Sequence, residues 1–219
     1  MPTSRRTFAS RPSSTERIVQ GSAARVLADI ARALDGLRLR WYVFGAQAAI
    51  VYGHARLTAD VDVTVEAGAV SATALVAALD AQGVGPRVRL DDAFVARTRV
   101  LPLLHRATTM DVDVVLAGPG LEERFLADAV RVDVAGVSVP FASATDLVVM
   151  KILAARPKDL DDVVALLRLR PPSLDVAETR ALLAELEAAL DQADLIPALD
   201  SAIRAAGRGS AARPRRKPR

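Results

Sequence analysis

The sequence predicts an α+β fold, a mixed β-sheet flanked by helices and followed by a C-terminal helical region. Three observations carry that prediction. Short β-branched runs alternate with helical patterns as far as Phe141. Two of those runs, "ADVDVTVE" and "TTMDVDVVLAG", alternate aspartate with valine, as a strand with one buried face does. From Ser143 onward the apolar residues recur at helical spacing, which puts a seam between the two halves there. With 219 residues, 51% of them hydrophobic, the chain suffices for one compact domain, or one with a helical appendage. The expected organisation is a disordered basic start at 1–14, an α/β core at 15–142, a helical region at 143–206 and a disordered basic tail at 207–219.

The elements follow in order. Thr15–Leu37 places Leu27, Ile30, Ala31 and Leu34 on one helical face, with Ser14 or Thr15 as cap. "RWYVFG" (Arg40–Gly45) is a β-rich run closed by glycine, and the Ala-rich stretch Ala46–Gly53 is a short helix. Ala59–Glu66 is a strand. Ser71–Gly83 is a helix with a serine cap and a glycine stop. Residues 86–105 read as extended but irregular. Thr108–Gly118 is a strand, Gly120–Val130 a helix, and Arg131–Phe141 a hairpin about Ala135-Gly136. Ser143 or Thr145 then caps "DLVVMKILAA"; "DLDDVVALLRL" and "VAETRALLAELEAALDQ" follow as helices, and a last helix spans Leu195–Ala206.

Composition narrows the chemistry. There is no cysteine, so disulfides and thiolate metal sites are excluded, and a cytoplasmic location is expected. The two histidines, His54 and His105, are too few for a histidine zinc cage and read as structural or surface residues. A metal here has to be a hard cation held by carboxylates, Mg²⁺ or Mn²⁺. No apolar run reaches the length of a membrane span. "SRRTFAS" resembles a twin-arginine export signal, but "RPSSTER" follows where an apolar stretch is required. The net charge of +3 is segregated. Residues 1–11 hold three basic side chains and residues 208–219 hold six, neither with an acid, which leaves the body with 20 basic against 26 acidic residues, a net of −6. The basic ends are suited to touching RNA electrostatically, or simply to solvation.

Asp60 and Asp62, two residues apart on one strand, project from the same face, while Val61, Val63 and Val65 point the other way. Like charges so placed raise each other's pKa unless a positive group lies between them, and a divalent cation supplies one. A solvated strand face shows the same alternation. Three features favour the cation. Asp111 and Asp113 repeat the pattern on a second strand, and if the two strands are neighbours three or four carboxylates converge, as in a two-metal phosphoryl- or nucleotidyl-transfer site. Gly45 stands at a strand-to-helix turn whose following N–H groups suit a phosphate. Arg56 and Thr58 precede Asp60, offering a cation and a hydroxyl.

The segment "FGAQAAIVYGHARLTADVDVTV" resembles the signature of the DNA polymerase β-type nucleotidyltransferase superfamily. There, a strand ending in Gly-Gly or Gly-Ser is followed by a short helix and a strand bearing Asp-x-Asp. The spelling is most similar to the bacterial abortive-infection and minimal nucleotidyltransferase branches, many of them toxin–antitoxin components. "DLVVMKILAARPKDLDDVVALL" is similar to their downstream Lys-x-x-x-x-Arg-x-Lys-Asp-x-x-Asp motif, matched by Lys151, Arg156, Lys158, Asp159 and Asp162. The resemblance spans residues 40–167. It implies an Mg²⁺-dependent (or Mn²⁺-dependent) enzyme moving NMP from an NTP to a hydroxyl acceptor on tRNA, protein or a small molecule, with an antitoxin-like protein partner. Asp60 and Asp62 would hold metal on the triphosphate and Asp113 would be the third carboxylate. Asp111 shares its face, and the choice between them stays open. Gly45 and Ala46 would meet the β- and γ-phosphates, with Arg56, Thr58, Lys151 and Lys158 as further nucleotide contacts. Arg156 and Lys158 have salt bridges to Asp159, Asp161 and Asp162 as the competing role. Ala46 departs from the family's second glycine or serine. The departure leaves a second function open: a catalytically weak or inactive protein of this fold that binds nucleotide or a partner.

Overall fold

The computed structural model describes residues 21–210. The expected helix caps Ser14 and Thr15, the basic start and the tail beyond Ser210 lie outside the described residues. The elements run α1 (Ser22–Gly36), β1 (Arg40–Phe44), α2 (Gly45–Val51), β2 (Asp60–Glu66), α3 (Ala72–Ala81), β3 (Val84–Pro86), α4 (Asp92–Thr98), β4 (Val100–His105) and β5 (Met110–Leu116). Then come α5 (Leu121–Ala127), β6 (Val130–Val134), β7 (Val137–Phe141), α6 (Ala144–Ala154), α7 (Pro157–Leu169), α8 (Val176–Leu190) and α9 (Leu195–Ser210).

The fold is α+β. One mixed sheet has the strand order β3-β4-β5-β2-β1-β7-β6. β2 runs parallel to β5, β1 parallel to β7, and the remaining neighbours are antiparallel. The valines of the alternating strands explain the central position of β2 and β5. Val61, Val63, Val65, Val112 and Val114 are fully buried on one face, as the period of two requires. α1 packs on α3 and β7, and its apolar stripe Val26, Leu27, Ile30 and Leu34 is buried.

α6 is buried on nearly every side. It contacts α2 at the sheet and α7, α8 and α9 beyond it, so it links the sheet to the C-terminal helices. Its entry is set locally: the Ser143 hydroxyl accepts the Asp146 N–H at 3.1 Å, which selects Ser143 over Thr145 as the cap. Thr145 instead donates to the Ser173 carbonyl.

Several expectations are corrected. Residues 86–105 are not irregular throughout: they form α4 and all of β4, with β4 fully paired to β5. α4 begins where the Asp91 carboxylate accepts the Phe94 N–H at 2.8 Å, a cap readable in "LDDAF". The helix expected over Gly120–Val130 ends at Ala127, because Val130 already pairs with Phe141 in the β6–β7 hairpin. Gly45 opens α2 rather than closing β1. α9 continues to Ser210, four residues beyond the expected end. The β6–β7 turn lies at Ala135-Gly136 as expected, with both residues at positive φ (53° and 85°), the conformation of a type I′ hairpin.

Candidate active site

The parallel register of β2 and β5 places Asp60 beside Asp111 and Asp62 beside Asp113. Neighbouring strands lie about 5 Å apart, so four carboxylates share one patch of the sheet face opposite the valines. The antiparallel register of β1 and β2 sets Phe44 against Asp62, which brings the turn into α2 to the same patch. Gly45 has φ +65° there, and a Cβ on it would lie 2.0 Å from Oδ2 of Asp62. Both the backbone conformation and the close approach require glycine. Phe44, at the N-cap of α2, contributes no side-chain acceptor to the first helical N–H groups. Ala46 keeps the turn small where the superfamily pattern has glycine or serine.

Phe44, Gly45, Ala46, Asp60, Asp62 and Asp113 line one wall of a cleft of about 290 Å³, and Lys151, Arg156, Lys158 and Asp159 line the other. The sheet wall is acidic and the α6–α7 wall carries the cations. On that second wall Lys151 is nearly fully buried, as are Asp159 and Asp162. Its Nζ donates to Asp162 at 2.5 Å and to Asp159 at 3.3 Å. Asp162 also takes Arg56 at 2.5 Å and lies 3.0 Å from Nε2 of His54. Arg156 pairs with Asp159. Burial pulls the Asp159 carboxyl up, but the Arg156 hydrogen bond and the charges of Lys151 and Arg156 outweigh it and hold the group below the usual carboxylate range.

Eight of the nine residues expected at the site line this cleft: Asp60, Asp62, Asp113, Gly45, Ala46, Arg56, Lys151 and Lys158. The ninth, Thr58, hydrogen-bonds Asp60 through its hydroxyl. Lys151 and Arg56 face the cleft from within ion pairs, so they present a charge already balanced by α7 aspartates. Lys158 is exposed and has no ion-pair partner among the described residues. Sequence reasoning gave His54 only a structural or surface role, and it missed Arg87 altogether. Arg87 donates from Nη2 to Asp113 at 2.8 Å and reaches Asp111 at 3.3 Å from Nη1. This contact crosses from the end of β3 to β5, and no local spacing announces it. His105, by contrast, is buried between Asp29 (2.9 Å) and Thr108 (2.8 Å). Tyr52 donates to the Ala142 carbonyl at 2.6 Å. His105 is structural, as expected.

Electrostatics single out Asp62. Burial, followed by the charges of Asp60 and Asp113, lifts its carboxyl to about 6 against the pull of Arg156 and Lys151. Asp113 is also raised, by burial and by Asp111 and Asp60, against Arg87. Carboxylates that raise one another gain from a positive ion, and an all-oxygen donor set on a strand face suits a hard cation. The residues fit such a cation in kind. Among the described residues, however, no three acidic or histidine side chains stand gathered as a ready ligand set. Thr58 engages Asp60 and Arg87 engages Asp113 instead.

The comparisons with known proteins bear on the family and the fold. A family model described as "Nucleotidyltransferase of unknown function (DUF6036)" matches residues 18–189. Among solved structures, the solution structure of the antibiotic-resistance factor ANT(2'')-Ia aligns with a TM-score of 0.52 and 17% identity, over 77% of this chain and 94% of that one. The crystal structure of an antigenic nucleotidyltransferase-like protein from Paracoccidioides brasiliensis aligns with a TM-score of 0.50 and 20% identity, over 83% and 92% of the two chains. At these identities the structural likeness bears on the fold. No curated protein matches the sequence.

Proposed function

From the premise that this chain belongs to that nucleotidyltransferase family, we propose that it transfers a nucleoside monophosphate from an NTP to a hydroxyl acceptor with Mg²⁺ or Mn²⁺. The observation that carries this reading is the β2–β5 register, which sets Asp60, Asp62 and Asp113 on one patch directly under a turn that tolerates only glycine. In the reaction an acceptor oxygen forms a bond to the α-phosphorus, the bond to the β-phosphate oxygen breaks, pyrophosphate leaves, and the acceptor proton is lost to base or solvent. A divalent cation, when bound, supplies charge neutralisation on the triphosphate and a more acidic acceptor hydroxyl.

Asp60 and Asp62 would hold that cation, with Asp113 as the third carboxylate. Thr58 orients Asp60. The amides of Gly45 and Ala46 face the β- and γ-phosphates at the first turn of α2. Lys151 and Arg56, fixed in place by Asp162, contribute charge from the opposite wall, and exposed Lys158 closes onto the phosphates from the rim. A hydroxyl of tRNA, of a protein or of a small molecule is the acceptor class. Association with an antitoxin-like partner rests on the sequence resemblance alone. Pyrophosphate release, measured with each NTP and candidate acceptors, tests the reading. Asp60→Asn and Asp113→Asn are each expected to slow release about a thousandfold. Undiminished release by both variants would overturn it.

A further inference from the structure

The sheet register places four carboxylates side by side, yet the reaction proposed above uses three of them. Asp111 is left over. It is also the most exposed carboxylate of its pair, with 52% of its side chain open against 33% for Asp113. The Arg87 guanidinium lies across the two, one nitrogen 2.8 Å from Asp113 and the other 3.3 Å from Asp111. Its backbone is anchored independently, since the Arg87 N–H donates to the Pro102 carbonyl at 3.2 Å on β4. Lys151, Arg156 and Arg56 are paired with Asp159 and Asp162, whereas Arg87 alone among the described cations makes an ion pair with Asp113.

We propose that Arg87 and Asp111 form a built-in counter-ion for the third carboxylate. Asp111 is the anchor of Arg87 and not a metal ligand. Arg87 neutralises Asp113 until a divalent cation takes it, then remains on Asp111. The planar fork of arginine suits this, because its two outer nitrogens reach separate carboxylates at once and one contact can be given up while the other is kept. The device keeps Asp113 from confronting Asp60, Asp62 and Asp111 uncompensated, and it makes cation loading a competition with Arg87. Arg87 is therefore a positioning residue acting through Asp113, and the inference rests on the proposed cation-dependent reading of the site.

The test is Mn²⁺ binding, followed by the loss of the free-Mn²⁺ electron paramagnetic resonance signal, on the full chain and on Arg87→Gln, Arg87→Lys, Asp111→Asn and Asp113→Asn. Each protein is titrated with Mn²⁺ alone and with Mn²⁺ plus each NTP. Removing a half-exposed competing charge should tighten binding of Mn²⁺ alone to Arg87→Gln about five- to tenfold. Arg87→Lys, which keeps the charge without the fork, should fall between the parent and Arg87→Gln, Asp111→Asn should still bind Mn²⁺, and Asp113→Asn should bind weakly. Circular dichroism of each variant separates these effects from misfolding. Equal Mn²⁺ affinity for the parent and Arg87→Gln would overturn the role of Arg87, and loss of binding in Asp111→Asn would overturn the role of Asp111. In both cases Mn²⁺–NTP binding by the parent would leave the site reading standing. If neither Mn²⁺ nor Mn²⁺–NTP bound the parent, the site reading itself would fall and this inference with it.

Discussion

Gly45 is the residue on which the geometry of the cleft turns. A methyl group there meets Oδ2 of Asp62 at 2.0 Å and is held in a conformation that L-residues disfavour. Gly45→Ala should therefore cost about 1–3 kcal/mol of folding stability, and its nucleotide affinity should fall more than that loss explains because Asp62 is displaced. Urea unfolding beside a nucleotide titration measures both. Asp162 is the second such residue. It receives Lys151, Arg56 and His54 while almost wholly buried, and Asp162→Ala strands a buried ammonium that keeps only its longer contact to Asp159. Destabilisation of about 3 kcal/mol is expected, read as a lower urea midpoint with an unchanged slope. The motif spacing made Asp162 and Lys151 visible in the sequence, whereas His54 and Arg56 come from the segment after α2, which only the fold brings to them. Arg87 illustrates the opposite limit, since nothing near it in sequence marks it as the partner of a carboxylate on another strand.

At the scale of elements, α6 carries a buried acid that the proposed chemistry does not use. Asp146, in its first turn, is fully buried, and one carboxylate oxygen lacks a hydrogen-bond partner among the described residues. Burial lifts its carboxyl to about 6; the Ser143 hydrogen bond opposes the rise, and Asp128 adds to it. The unfolded chain releases this proton near 3.8. Between those values the folded state holds the extra proton, so this group's contribution to stability falls as pH rises through the interval, and its penalty is complete above about 6. Asp146→Asn should thus be more stable than the parent at pH 7.5 by on the order of 2 kcal/mol, and the difference should vanish near pH 4. Thermal unfolding across that range checks the sign. Which elements were legible follows the same physics. β2 and β5 declare themselves because each buries one valine face, and α6 through α9 because their apolar spacing is helical. α4 escapes notice because it has no fully buried residue to set a period, and β4 because Pro102 and the apolar run around it blur its alternation.

For the whole molecule, the α+β class and the seam into helices were readable from pattern switching alone. The pairing of β2 with β5, which makes four carboxylates neighbours, was only conditional until the sheet order was known. The cleft sets an acidic sheet wall against a helical wall that carries Lys151, Arg156 and Lys158. No helix among the described residues is long and apolar enough to cross a membrane. The most direct test of the central claim is calorimetric titration of Mg²⁺ and Mn²⁺ with each of the four NTPs into the full chain and into the Asp60→Asn/Asp62→Asn double variant. The account predicts metal-dependent binding of at least one NTP by the full chain and its loss in the double variant. NTP binding that ignores the metal, or that survives in the double variant, would contradict it.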